Sequence, residues 1–377
     1  MAEIYQQAFG ALFSVNMGYR PGERILVFSD LIRDDERISG ADRDRRGRLH
    51  ATARELADFS RNRLGSGDFV DFPATPASGA EPPLVLWQAV FGEAIIEQLE
   101  TTGLLGPLLA KTIDPAGLEQ ARAMVLAGTA AVADIIIALA NNSTSHTNFR
   151  KLACHAGARF ASLPHFDPEM FGTSMTVDWH VLADRTNRLV AAVNRAEWVY
   201  VECPNGTVMH ICKKGRLAEG DDGLLTADGA FGNLPAGEAY LAPLEGESHG
   251  TMVIEWGPTA KLASPLTLTI ADGKVVRIEG DDPLKQRLEA KFSENPNCRN
   301  LAELGIGTND KASRPDNVLE AEKILGTIHL ALGDNTGFGG TVVAPFHEDY
   351  VFYRPTVTLV MPDGSQEVIL DNGRLQL

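Results

Sequence analysis

The chain has 377 residues and an apolar fraction of 44%, enough for two domains with cores of their own. A formal net charge of −16 excludes a phosphate-neutralising surface, so nucleic acid is not an expected partner. No run approaches the ~18 consecutive apolar residues of a membrane helix, and MAEIYQQAFG lacks a basic region followed by an apolar core, which makes the cytoplasm the expected address.

Residues 1–18 read as a helix. PGERILVFSD (Pro21–Asp30) reads as a turn followed by a buried strand, and Arg45–Arg63 as an exposed, charged helix. Gly67–Pro83 gives a short strand and a Pro/Ala/Gly loop, and Pro83–Glu100 a helix. The apolar stretch Ala121–Ala140 reads as a buried helix followed by the strand ADIIIALA (Ala133–Ala140), and ARFASLPHF (Ala158–Phe166) as a further strand. Strands alternating with helices predict an α/β N-terminal domain with a mostly parallel sheet. Neither GxGxxG nor GxxxxGK[ST] is present, so no nucleotide loop comes with it.

Ser174–Glu197 has a long helical pattern and is expected to bridge two domains. Beyond it the texture changes. Trp198–Arg216 turns at Pro-Asn-Gly, Ser264–Gly280 turns at Asp-Gly, and Thr356–Leu377 carries two more such turns, all hairpin signatures. Pro283–Phe292 reads as helix. The second domain, residues 191–377, is therefore expected to be α+β with an antiparallel sheet that carries a metal site. The boundary with the first domain, residues 1–190, is placed near residue 190.

Four segments of this second half set ionisable groups beside apolar residues and turn formers: NLPAGEAYLAP with Glu238, AELGIGTND with Glu303, LEAEKILGTIHLALGDN with Glu320, Glu322 and His329, and PFHED with His347 and Asp349. An unpaired charge there is costly, and a cation that takes carboxylate and imidazole ligands together relieves the cost. On an extended segment His347 and Asp349 face one point while Glu348 turns away. Each residue also has a bland reading: His329 as a core histidine, Glu320 as a solvated acid, and Glu238 and Glu303 as ion-pair partners. In the first half, His146 and Arg150 of SHTNFR sit at a strand-to-helix turn and read either as ligand-facing groups or as a helix cap and a surface pair. Cys154, Cys203, Cys212 and Cys298 show no CxxC spacing and read as reduced thiols, with a nucleophile at Cys154 or Cys203 as the minor alternative.

The four segments, together with STSHTNFRKLACHAGARFASLP and NGTVMHICKKGR, resemble the aminopeptidase T family of metallopeptidases over roughly residues 140–355. The resemblance implies two divalent ions per chain, zinc, cobalt or manganese, held by Glu238, Glu303, Glu322, His329, His347 and Asp349, with Glu303 bridging. It implies a homodimer that trims short peptides from the N-terminus through a metal-bridged water, with Glu238 or Glu303 moving the proton. The pattern departs at Thr336, where the family has a tyrosine, and in two extra residues between Glu322 and His329. GDNTGFGGT is similar instead to the 2,5-dihydroxypyridine dioxygenases, cousins of the same fold with a mononuclear iron. In those the position of Glu238 is not acidic and that of Glu303 is histidine. The retained glutamates favour hydrolysis in this reading. An iron dioxygenase using His329, His347 and Asp349, and a metal-binding protein without turnover, stand as alternatives.

Overall fold

The computed structural model describes residues 3–377. The chain divides into two units: Met1–Thr176 with Gly223–Pro235, and Val177–Asp222 with Ala236–Leu377. The division falls at Thr176, earlier than the expected residue 190. The helix Trp179–Asn194 consequently lies wholly in the second unit and is no bridge. The return of Gly223–Pro235 to the first unit has no signal in the sequence.

The first unit is built on a five-stranded parallel sheet in the order Asp68–Pro73, Ile25–Leu31, Ile135–Ala138, Arg159–Ser162 and Phe231–Asn233. The two central strands are buried over nearly their whole length, as the unbroken apolar runs require of a sheet covered on both faces. The fifth strand, three residues long, escaped the reading because it is too short to show a pattern. The charged helix starts earlier than expected, at Gly40, because Ser39 accepts the Asp42 amide as its cap; it ends at Leu64, before the left-handed Gly65. Pro83–Glu100 is two helices, Leu84–Phe91 and Glu93–Thr101. Gly92 at φ 77° breaks them, a conformation that a continuous helix cannot contain. The N-terminal helix covers Glu3–Ala11 and widens into a π-helical segment over Leu12–Asn16; residues 1 and 2 lie outside the described residues.

The second unit is a pair of antiparallel sheets. The larger has eight strands, with Trp198–Glu202 and Val208–Cys212 near its centre. The smaller has five, in the order His347–Tyr353, Thr327–Gly333, Leu301–Gly307, Glu238–Leu241 and Glu219–Asp221. Their inner faces share one apolar core: Val199, Val201, Met209, Ile211, Met252, Ile254, Leu266 and Leu268 from the larger sheet, and Leu304, Ile306, Ile328, Leu330, Leu332 and Phe352 from the smaller. The helix Pro283–Glu294 adds Leu284, Leu288 and Phe292 to the same core. Among the described residues no helix is long and apolar enough to cross a membrane.

Candidate metal centre

Alternation in the smaller sheet decides what its outer face presents. Along Thr327–Gly333, Ile328, Leu330 and Leu332 enter the core, so His329 and Ala331 face the other way. Along Glu238–Leu241, Ala239 and Leu241 enter the core, which leaves Glu238 and Tyr240 outward. Along His347–Tyr353, Tyr350 and Phe352 go inward while His347 and Asp349 go outward. The Glu303 strand needs a further device. Leu301 and Leu304 both belong to the core, which an unbroken two-residue period forbids. The register shifts between Leu301 and Glu303, and this bulge lets Leu301 enter the core while Glu303, next to the inward Leu304, keeps the outer face.

Cross-strand register then gathers the set. Ala331 pairs with Glu303 on one side and Asp349 on the other. Gly305 pairs with His329, and Gly307 with Glu238. The small partners make room: a Cβ on Gly305 would lie 1.9 Å from the His329 ring. Glu303 is 7% exposed and His329 1%. Glu303 Oε1 lies 3.4 Å from His329 Nε2, and Glu303 Oε2 lies 3.4 Å from His347 Nε2. His347 Nε2 is also 3.6 Å from Asp349 Oδ1, and His329 Nε2 is 3.4 Å from Glu238 Oε2. Two donor trios result, Glu238–Glu303–His329 and Glu303–His347–Asp349, joined at Glu303.

The donors are aimed at one another without being satisfied. Glu238 Oε2, Asp349 Oδ1 and His329 Nδ1 are buried and have no hydrogen-bond partner. His347 Nδ1 donates to the Asp334 carbonyl at 2.7 Å, which fixes the ring and leaves Nε2 as the inward ligand atom. The Asp334 side chain is itself held by the amides of Thr336 and Ala344. Burial alone would raise the Glu303 carboxyl, but the hydrogen bonds from His329 and His347 outweigh it and bring it down to about 2. Burial would lower the His329 imidazole, but Glu303, Glu238 and Asp349 reverse this and lift it to about 10. The cluster thus draws positive charge, and its donor types, imidazole nitrogen and carboxylate oxygen, fit a borderline divalent ion.

Glu322, expected as a ligand, belongs to neither donor trio. Its Oε1 is 3.0 Å from Lys323 Nζ, and burial pushes its carboxyl up to about 8. Lys323 is the residue that the sequence concealed. It is 1% exposed, bonds Glu238 Oε1, and lies 3.7 Å from Asp221 Oδ2. In LEAEKILG a lysine between acids reads as a surface ion pair, and nothing local marks it as buried. The segment that carries Glu322 and His329 is a four-residue helix, Val318–Ala321, followed by the His329 strand.

The remaining candidates fall elsewhere. Glu320, expected in solvent, is fully buried and accepts the Ser313 amide at 2.8 Å. Glu348 turns away from the donors, as the alternation requires, and pairs with Arg287 at 2.6 Å through both oxygens. Tyr350 points inward with it and donates to Glu348. Thr336 bonds Asp334. In the first unit Thr147, not His146, caps the helix Asn148–His155, and Arg150 lies over the Phe231 ring at 4.2 Å. Burial raises the thiols of Cys154 and Cys203 to about 11 and about 12, so neither is an activated nucleophile.

Comparison with known proteins bears on this centre. A family model described as NicX: 2,5-dihydroxypyridine 5,6-dioxygenase matches residues 110–377, a span that contains every donor named above. Among solved structures, the fold is similar to a 2,5-dihydroxypyridine dioxygenase from Pseudomonas putida KT2440, with a TM-score of 0.66 and 18% identity over 100% of this chain and 98% of that one. It is also similar to wild-type AmpT from Thermus thermophilus, with a TM-score of 0.62 and 14% identity over 99% of each chain. At these identities the two structures speak for the fold alone. No curated protein sequence matches.

Proposed function

We propose a function from one premise, that the chain belongs to the family NicX: 2,5-dihydroxypyridine 5,6-dioxygenase. On this reading it is a metal-dependent dioxygenase that opens a hydroxylated, pyridine-like ring. The observation that carries the reading is the Glu303–His347–Asp349 trio, in which His347 is already oriented by Asp334 and Asp349 Oδ1 lacks a partner. Glu303, His347 and Asp349 would hold a divalent metal ion there, and iron(II) in that place would supply the redox chemistry for inserting dioxygen into an aromatic ring.

The chain's own residues do the rest. Glu303, ionised between two imidazoles, anchors the centre and couples His329 to His347. Phe338 packs edge-on against the His347 ring at 6.0 Å, and Tyr240 against Phe338 at 5.8 Å. This aromatic wall beside the donors suits a flat ring substrate better than an extended peptide. Phe338 belongs to GDNTGFGGT, the segment whose likeness to the dioxygenases is visible in the sequence. His329, buried against Glu238 and Glu303, is placed to hold a proton at Nε2.

One observation favours the metallo-aminopeptidase reading as a second possibility. Glu303 offers one oxygen to each donor trio, the arrangement a pair of cocatalytic ions requires. Oxygen uptake separates the two. Protein loaded anaerobically with iron(II) is expected to consume oxygen with a dihydroxylated pyridine and to leave aminoacyl anilides intact. Hydrolysis of the anilides by zinc- or cobalt-loaded protein, without oxygen uptake, would reverse the assignment.

A further inference from the structure

Two donor trios sharing a carboxylate would hold a pair of ions if donor types alone decided it. Lys323 changes the count. Its ammonium has three N–H donors, and three carboxylates surround it: Glu238, bonded through Oε1, Glu322 at 3.0 Å and Asp221 at 3.7 Å. The side chain is 1% exposed, and its backbone is held on both sides. The Lys323 amide donates to Glu320 O at 3.0 Å, its carbonyl accepts from Asn309 at 2.8 Å, and Gly307 is packed so closely that a Cβ there would meet the Lys323 carbonyl carbon at 2.8 Å. The positive charge is therefore fixed in place on the Glu238 side. On the other side Glu303 and Asp349 offer two carboxylates beside the His347 imidazole, a donor set that suits one divalent ion.

We infer that the Lys323 ammonium stands in the place of a second metal ion, so that the centre takes one divalent cation on the Glu303–His347–Asp349 side and is closed to another on the Glu238 side. This rests on the metal-binding reading above and adds to it the cause of the stoichiometry. Glu238 and Glu322 are then partners of a lysine rather than ligands. A dication brought to Glu238 would face a desolvated ammonium across the same carboxylate, where repulsion is weakly screened.

The experiment is a metal count. Full-length wild type, Lys323→Ala and Lys323→Arg are saturated with manganese(II) or zinc(II), passed over a desalting column and analysed for metal per chain, with melting temperatures taken with and without metal. Wild type and Lys323→Arg are expected to hold one ion. Lys323→Ala is expected to hold two, and to gain more thermal stability from metal than wild type does, because the second ion replaces the lost charge. Two ions in wild type would overturn the inference, as would a folded Lys323→Ala protein that holds one ion. If Lys323→Ala does not fold even in excess metal, the wild-type count decides alone. No ion in wild type would remove the metal-binding reading itself, a result distinct from two.

Discussion

Both units bury acids, and they do so in opposite ways. In the parallel-sheet unit Asp30 is 3% exposed, and its two oxygens accept the amides of Asn141 and Asn142 at 2.7 and 3.0 Å, tying together the ends of neighbouring strands. Glu81 does the same for the amides of Asn148 and Phe149 at the start of a helix. Arg159 gives its N–H groups to the carbonyls of Met17 and Gly18 and pairs with Glu23 at 2.5 Å. In the antiparallel unit the acids of the cluster, Glu238, Glu303 and Asp349, face histidines and one another. Among the described residues, the buried carboxylate oxygens without a hydrogen bond are Glu238 Oε2, Glu320 Oε2 and Asp349 Oδ1, all in this unit, and two of them belong to the cluster. A buried charge that is fully partnered supports the fold; a group of them aimed at one point and left short of partners marks a site.

Substitutions can break that contrast, and the largest effect is expected at the shared donor. Glu303→Ala should abolish both metal retention and turnover while the protein still folds, as read by metal analysis and circular dichroism. Retained metal would deny Glu303 its place as the junction of the two trios. Next is Gly305→Ala. The added methyl would overlap the His329 ring, at a cost of about 1–3 kcal/mol for an overpacked interior, and should lower both the melting temperature and the metal content. An unchanged metal content would mean that the ring can move without consequence.

Asp30→Ala tests the other side of the contrast. It leaves two buried amides without an acceptor, at a cost of about 1–3 kcal/mol. Denaturant melts should show the loss, whereas metal content should not change. The smallest effect is in acid. Glu36 is held below the usual carboxylate range chiefly by its hydrogen bond from Arg46. A depressed carboxyl contributes stability above its unfolded value, near ~4.3, and loses it as the pH falls through the folded one. Glu36→Gln should therefore be less stable than wild type at neutral pH and converge on it as the pH falls through the lowered folded value. A constant difference between the two from neutral to acid would rule that contribution out.

The sequence made much of this legible, for identifiable reasons. The apolar runs of Ile25–Leu31 and Ile135–Ala138 are long enough to announce buried parallel strands, and His-x-Asp on an extended segment fixes which of three residues turns away. Other features depend on contacts distant in the chain. The bulge that lets Leu301 point inward on the same strand as the outward Glu303 shows only against the neighbouring strand. Gly305 looks like any turn glycine until the His329 ring is placed over it. Lys323 reads as a surface residue because the acids it neutralises, Asp221 and Glu238, lie about a hundred residues away. The two-ion expectation came with the aminopeptidase T resemblance, which says nothing of the buried lysine beside the acids.

Elemental analysis of protein purified without chelator, wild type beside His347→Ala, addresses the metal centre most directly. One divalent ion per chain in the wild type and essentially none in the variant is the predicted result. A metal-free wild type, or a variant that keeps its ion, would contradict it.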